Sequence, residues 1–597
     1  MRKRIKSAFG NTHSAGSSYD YYESVTKRVP RRSFFDLSHK LTTSWNAGRI
    51  VPVYVEEILP GDTYRMSIEE LIRLSTPLVP TMDDVYFQFD AFFIPNRVAL
   101  ENCLLLGYPA ETAPGVNIFK QFMGETRNSS FGTDGPYIAN GMPNRLPFLA
   151  APRLVTQTSI DVNQGSVLDY LGLPIGRSII PDDRATSLPV DRISAIPWLA
   201  YVDVFNHWYR DQNTMPYKAK VLNYIPSSTV GQQNNGYYTH TVTTAINTNE
   251  SPVDGNINAN SRPFKACKRH DYFTSGLPLS WKPLMRGIPD NIYMPMWLDS
   301  RSPQPSTLSS RSVAQAMIGT DIPSIGQPSS GSPVAGDRAV NFAQLVRNAM
   351  ALNLYLEADA RHGTRYDENI FAHFGVRATE YRLDFPEYLG SYRNKLSYVQ
   401  IPQTSSTDDE SPQGHLSSFA MSNERGFLFE KTFYEHGYLM VMCTCRVHNT
   451  YQDGIERHWF RGQTKLDYYS PEFRHISMQP TYLGELFYDN PALNSNNYLI
   501  FNWQDSWQDY RSKHNRVTGQ MRSRNTNRLD YWHFAENFAS PPSYSAWFIQ
   551  DNSEALINRT LAIDSSIQHQ FLADIRFNVE AYREIPVEAV PSLADHL

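Results

Sequence analysis

Residues Glu435–Gly454 read EHGYLMVMCTCRVHNTYQDG, and the parity of this stretch decides the kind of fold around it. Residues two apart on a strand share a face. Leu439, Val441, Cys443, Cys445 and Val447 then form one uniformly apolar side. Tyr438, Met440, Met442, Thr444, Arg446 and His448 form the other, which drifts toward polar. The alternation predicts a core strand with both cysteines on its buried face. It argues against zinc, which Cys443, Cys445, His436 and His448 together would otherwise suggest. The two histidines fall on the opposite face and lie about 40 Å apart along an extended strand, so the four cannot close a tetrahedron. Cysteines at i and i+2 on a strand also have parallel Cβ vectors that suit no disulfide. Both are expected to behave as small hydrophobes.

The same alternation recurs on either side. VYFQFDAFFIP (Val85–Pro95) places Phe87, Phe89, Ala91 and Phe93 on one face with Tyr86, Gln88 and Asp90 opposite, which predicts a half-buried strand. GRIVPVYVEEILPGDT, beginning at Gly48, reads as a first strand closed by a Pro-Gly-Asp turn. Beyond about Phe427 the chain alternates again in FLFEKTFYEHGYLMVMCTCRVH, YYSPEF, YLIFNW and FIQ. Two helices interrupt this β-rich text. One spans Pro197–Asn213, with Trp198, Val202, Phe205 and Trp208 on a single stripe; the other spans Phe342–Arg361, stopped by Gly363. Pro226–Arg262 is rich in Asn, Thr, Gly and Ser, and Arg301–Arg338 in Ser, Pro and Gly. Neither can build a core alone, so both are expected as surface insertions. No repeat of 20–50 residues indicates a solenoid or propeller.

Composition agrees with this outline. The chain has 597 residues, 41% apolar and 19% charged, with 39 Pro, 31 Phe, 35 Tyr and 10 Trp. Such a balance suits many short strands joined by long loops around a large core. Four cysteines in so long a chain make no disulfide framework and fit a reducing compartment. MRKRIKSAFG lacks an apolar signal region, and no apolar run approaches a membrane span of about 20 residues. A soluble, cytoplasmically made protein is expected, with no membrane partner.

Charge is distributed unevenly. Residues 1–50 hold ten Lys and Arg against three acids, a balance of +7 that leaves −12 for the rest of a chain whose net charge is −5. A basic arm over 1–33 on a mildly acidic body suggests that one end faces a polyanion. Its candidate contacts are Arg2, Lys3, Arg4, Lys6, Lys27, Arg28, Arg31 and Arg32, with Tyr19, Tyr21 and Tyr22 available to stack on bases.

Chemistry is sparse. Phosphate-loop, dinucleotide, HExxH and GxSxG patterns are missing from the text. Asp408, Asp409 and Glu410 sit in a Ser/Pro-rich stretch that suits a solvated loop. His270, Asp271 and Ser275 are too close in sequence to be read as a triad. No catalytic site, cofactor or metal is expected.

Motifs along the chain resemble those of the major capsid proteins of microviruses, small icosahedral single-stranded DNA bacteriophages, in their gokushovirus branch. The resemblance is carried by FDLSHKLTTSWNAGRIVPVYVEEILPGDT (Phe35–Thr63), YRDQN (Tyr209–Asn213), KRHDYFTSGLP (Lys268–Pro278) and EADARHGTRY (Glu357–Tyr366). It continues through RLDFPEYLG (Arg382–Gly390), FYEHGYL (Phe433–Leu439), RHWFRGQTKLDYYSPEF (Arg457–Phe473), WQDSWQDYR (Trp503–Arg511), LDYWHF (Leu529–Phe534) and REIPVEAVPSLADH (Arg583–His596).

The resemblance implies an all-β fold: an eight-stranded antiparallel jelly roll with long loop insertions that contain a few helices. It divides the chain into the arm (1–33), a first part of the jelly roll (34–225), a variable surface insertion (226–341, main body 285–341) and a second part (342–597). Sixty copies would form a T=1 shell around circular single-stranded DNA, as a virion component assembled in the bacterial cytoplasm. Implied partners are further copies of the chain, the packaged DNA, and the phage's scaffolding, DNA-pilot and small basic DNA-binding proteins. A host cell-surface receptor would meet the insertion, through candidates Ser302, Pro305, Gly319, Pro323, Gly331 and Gly336. The competing expectation is a carbohydrate-active or receptor-binding β-sandwich.

Overall fold

The computed structural model describes residues 32–100, 103–106, 138–139, 142–143, 153–155, 161–176, 193–225, 237–243, 249–278 apart from 256, 370, 374, 376, 385–402, 404, 413–414, 416–461, 467–474, 478–489 and 495–587. Ten strands of this set build two facing sheets: β1 (Ser33–Asp36), β2 (His39–Trp45), β3 (Ile50–Ile58), β4 (Thr63–Leu74), β5 (Val85–Pro95), β6 (Glu387–Lys395), β7 (Ser397–Pro402), β8 (Leu416–Thr432), β9 (Gly437–Val447) and β10 (Phe571–Arg583).

The first sheet runs β2-β10-β4-β8-β7, with β1 also on β10; the second runs β3-β9-β5-β6. All pairings within them are antiparallel. Successive strands alternate between sheets from β2 to β5 and again from β8 to β10, which is the winding of an eight-stranded jelly roll. Two connections are greatly enlarged, β5–β6 (96–386) and β9–β10 (448–570).

Alternation decides which face each strand buries. Tyr64, Met66, Ile68, Ile72 and Leu74 of β4, and Phe571, Ala573, Ile575, Phe577, Val579 and Ala581 of β10, point between the sheets. Phe87, Phe89, Ala91 and Phe93 of β5 meet them from the second sheet, with Leu439, Val441, Cys443, Cys445 and Val447 of β9. β3 is an edge strand and therefore tolerates Pro52, which has no N–H to give. The register skips one residue beside it, between the pairs Tyr54–Val441 and Pro52–Met442. The expected turn after β3 has Pro60 and then Gly61 at φ +93°, the type II arrangement, and the Asp62 carboxylate accepts from the Leu59 N–H at 3.1 Å.

The second sheet is buried on both sides, which changes the half-buried reading of β5 and β9. Asp90, Phe92, Ile94, Met440, Met442 and Thr444, on the supposedly open face, are buried beneath the β5–β6 insertion. Its centre is helix α1 (Ile196–Val204), in which every residue but Pro197 is buried. The expected single stripe is thus replaced by burial all round. The Tyr201 hydroxyl donates to the Ile50 carbonyl at 2.8 Å and accepts from the Phe264 N–H, tying helix, sheet and insertion together. After Val204 the helix widens into a π turn over Phe205–Tyr209, closed by Arg210 N–H to Phe205 O at 2.9 Å. The wider turn rotates Tyr209 inward, where its hydroxyl donates to Asp90 at 2.7 Å, and leaves Trp208 42% exposed, off the predicted stripe.

Pro226–Arg262 also departs from its surface reading. In its described part Val242 and Ala259 join the core beneath the insertion, and Asn258, Asn260 and Ser261 are buried beside them, held by asparagine amides. Asn249 and Asn258 exchange side-chain-to-backbone hydrogen bonds at 3.0 Å, and Asn260 accepts from the Asn163 N–H at 2.7 Å. The predicted helix over Phe342–Arg361 lies outside the described residues.

Candidate functional site: the arm root and the surfaces around the sandwich

Arg2, Lys3, Arg4, Lys6, Lys27, Arg28 and Arg31 lie outside the described residues, as do Ser302, Pro305, Gly319, Pro323, Gly331 and Gly336. Arg32 is described, and it roots the arm. Its guanidinium lies 3.7 Å from the Glu584 carboxylate and donates to Thr63 Oγ1 at 3.4 Å. β1 then pairs with the end of β10, Ser33 opposite Arg583 and Phe34 opposite Tyr582. Arg583 is itself held by Asp62 at 3.0 Å and Glu56 at 3.3 Å. The arm therefore leaves from the β3–β4 turn end of the sandwich, and the charge of Arg32 is engaged by carboxylate before it can meet another anion.

The cysteine pair lies where parity placed it. Cys443 and Cys445 are fully buried between the sheets, and burial pushes both thiols well above their ordinary range. Such thiols supply neither a thiolate ligand nor a nucleophile. The His448 ring meets the edge of Tyr86 at 4.6 Å, and His436 packs against Phe374. The four do not converge.

The other suspected chemistry also resolves into architecture. Asp271 Oδ1 accepts from the N–H groups of Phe273 and Thr274, while Oδ2 accepts from Asn449 at 2.9 Å and Tyr451 at 2.7 Å. It pins the β5–β6 insertion to the β9–β10 insertion. Ser275 donates to the Asp271 main-chain carbonyl, and His270 is exposed. Asp408, Asp409 and Glu410 lie outside the described residues.

Five described carboxyls, Asp62, Glu70, Asp90, Glu485 and Asp551, are held above the ordinary carboxylate range by desolvation, and two of them, Glu70 and Asp90, belong to the facing sheets. Glu70 sits between Ile68 and Ile72 on the inner face of the first sheet, whereas Asp90 sits on the insertion side of the second. They face different compartments, not one another across a cleft as opposed glycosidase carboxylates do.

What the molecule presents is surface. The second sheet is capped by its own insertion; the outer face of the first carries a ladder of mixed charge. Arg425 meets Glu69 at 3.4 Å, Lys40 meets Asp574 at 2.5 Å, and Arg65 lies 3.8 Å from both Glu430 and Glu580. Exposed Val399, Ile401, Phe419 and Leu572 lie toward one end of the same face. Beyond the far end of β9, the β9–β10 insertion exposes Trp459, Tyr469, Tyr498 and Tyr510. These surfaces were not singled out from the sequence, where an exposed Tyr and a core Tyr read alike.

The family model of the phage capsid protein (F protein) matches residues 24–593. Capsid protein VP1 of Spiroplasma virus 4 is 31% identical over 624 residues, covering 99% of this chain and all of that protein. Capsid protein VP1 of Chlamydia phage 1 is 30% identical, covering 96% and 97% of the two chains, and that of Bdellovibrio phage phiMH2K is 29% identical, covering 94% and 95%. A jelly-roll sandwich with two enlarged loops, matched from near the arm root to near the C-terminus, places the chain in the phage F-type capsid protein family as a gokushovirus-like major capsid protein.

Proposed function

We propose that sixty copies of this chain close into a T=1 icosahedral shell around a circular single-stranded DNA genome. The observation that carries this reading is full-length similarity to VP1 capsid proteins together with a complete jelly roll whose loops alone are enlarged. Two packed sheets give each copy a rigid wedge, while the insertions vary without disturbing the core. A closed shell needs isologous contacts at two-folds and heterologous ones at three- and five-folds, so each copy presents several patches. The basic arm lies inside, where its Lys and Arg make weak, salt-sensitive, sequence-independent contact with DNA. Residues 285–341, the main body of the variable 226–341 region, form a protrusion at the three-fold axis that meets the host receptor. Scaffolding, DNA-pilot and small basic DNA-binding proteins assist in the bacterial cytoplasm.

Co-expression with the scaffolding protein, followed by negative-stain microscopy, tests the reading. Closed spherical particles are expected. Monomers or trimers with sugar-cleaving activity would replace the shell reading with the carbohydrate-active one.

A further inference from the structure

We infer that the aromatic surface built by the β9–β10 insertion is a contact between copies of this chain. The inference rests on the shell reading and gives one of its contacts a place. Two ring clusters form the surface. Phe460, Tyr482 and Tyr498 meet one another with centroids 5.9, 5.7 and 6.0 Å apart. Trp507, Tyr469 and Tyr510 form the second, at 5.6, 6.3 and 6.2 Å. Arg461, next in sequence to Phe460 of the first cluster, packs on the second, with its guanidinium 4.4 Å from the Tyr510 ring centre and 5.9 Å from that of Trp507.

Both arginines of this surface are neutralised in place. Arg461 lies 2.7 Å from Asp509, and Arg457, stacked over Tyr482, lies 3.0 Å from Glu485. They act as flat planes among rings, not as free cations. Trp507 is held at φ +65°, the left-handed region, as the only non-glycine residue there among the described residues. Its N–H donates to Gln479 Oε1 at 2.9 Å and its indole N–H to the Phe473 carbonyl at 3.2 Å, which fixes the ring. The Trp507 ring is therefore set in place before any partner arrives.

Its outer members are strongly exposed: Trp459 72%, Tyr498 60%, Tyr510 56% and Tyr469 47%, with Leu499 and Ile500 beside Tyr498 more than half open. Aromatic side chains bury about 150–250 Å² each. Covering the open parts of these four rings, with Leu499 and Ile500, removes on the order of 600 Å², the greater part of the ~800 Å² that one partner contributes to a standard protein interface. Trp, Tyr and Arg gathered on one insertion are also the residues that dominate interface energetics. A polyanion fits poorly, because the arginine charges are compensated: Arg461 by Asp509, Arg457 by Glu485, and Arg511, next to Tyr510, by Asp505 at 3.4 Å. A sugar would cover only part of a surface spanning two ring clusters. A second copy is the occupant that matches both its area and its neutrality.

The test uses the full-length chain co-expressed with its scaffolding protein. Trp459→Ala and Tyr498→Arg alter exposed positions outside the Arg461–Tyr510 stack, so each variant should remain soluble with a thermal midpoint close to that of the wild type. Closed shells on a sucrose gradient should fall at least tenfold. In wild-type shells, hydroxyl-radical oxidation of Trp459 and Tyr498 should be at least tenfold slower than in the unassembled chain; this labelling decides the matter for any variant that fails to fold. Shells at wild-type yield, or equal labelling in both states, overturn the inference while leaving the shell reading intact. Variants that assemble normally but no longer adsorb to host cells also overturn it, in favour of a host-facing platform. A wild-type chain that forms no closed particle sinks the shell reading, and this inference with it.

Discussion

Glu70 breaks the apolar alternation of β4 at a position that faces the core. Its Oε1 accepts from Asn394 Nδ2 at 2.8 Å and Ser422 Oγ at 2.9 Å, linking three strands, while Oε2 is buried without a hydrogen-bond partner. Burial raises its pKa, and the two hydrogen bonds offset that only in part. The sign of the pH effect follows. An unfolded chain releases this proton near the ordinary glutamate value of about 4.3. The folded chain retains it to higher pH, so stability falls as pH rises from that value through the raised one, then levels off. Glu70→Gln keeps the acceptor for Asn394 and Ser422 and removes the titration. It should stabilise the unassembled protein near neutral pH by on the order of 1 kcal/mol and have a smaller effect near pH 4. Thermal midpoints of both chains across pH 4–8 measure this; parallel curves would mean that the carboxyl is already satisfied. At the same scale, the cysteine parity was legible in the sequence because a period of two needs no partner to be visible. Glu70 was not legible, because β4 carries Glu69 beside it and only the register says which of the two faces inward.

Among the elements, α1 shows where sequence patterning succeeds and where it stops. Trp198, Val202 and Phe205 gave the helix, and all three are buried. Trp208 failed because a π turn inserts an extra residue into the period, which no regular template contains. β2 was missed for a different reason: HKLTTSW is a polar edge strand, recognisable only once β10 lies beside it. Burial of the even faces of β5 and β9 was equally hidden, since their cover arrives from an insertion distant in sequence. That cover is fastened by a buried ion pair. Lys220 Nζ lies 2.8 Å from Asp203, both 1% exposed, and also donates to the Val98 and Ala99 carbonyls. Burial alone would lower the lysine pKa, but the Asp203 carboxylate more than compensates and raises it. Lys220→Met strands a carboxylate in the core and should cost about 3–5 kcal/mol. Adding Asp203→Leu should recover most of that loss, because two apolar groups can replace a buried pair nearly neutrally. Chemical denaturation of the two variants provides the measurement, and a double variant no better than the single would show that the carbonyl contacts of Lys220, not its charge, hold the insertion.

At the scale of the whole molecule, the division between arm and body governs what the chain can hold. Residues 1–31 carry seven Lys and Arg against two acids, whereas the body is acidic and pairs its own arginines across the outer face of the first sheet. In the proposed shell, attraction for single-stranded DNA is concentrated in the arm, whose root is fixed by Arg32–Glu584 and by the pairing of β1 with β10. This locates the informative cut after Arg31, because removing Arg32 as well would strip a contact from the sandwich and confuse stability with binding. Each phosphate neutralised on a single strand contributes about −0.7 to the slope of log affinity against log salt. Losing seven cations should flatten that slope by up to about five. Particles made from the chain beginning at Arg32 should therefore assemble with an unchanged thermal midpoint, yet retain less nuclease-protected DNA, with retention nearly independent of salt between 50 and 500 mM NaCl. Absorbance ratios and nuclease protection of gradient-purified particles give both quantities. Equal DNA content and equal salt dependence in the two particles would move the arm's role away from the genome and onto a neighbouring protein, where its tyrosines and arginines would have to be matched by acidic and aromatic surface.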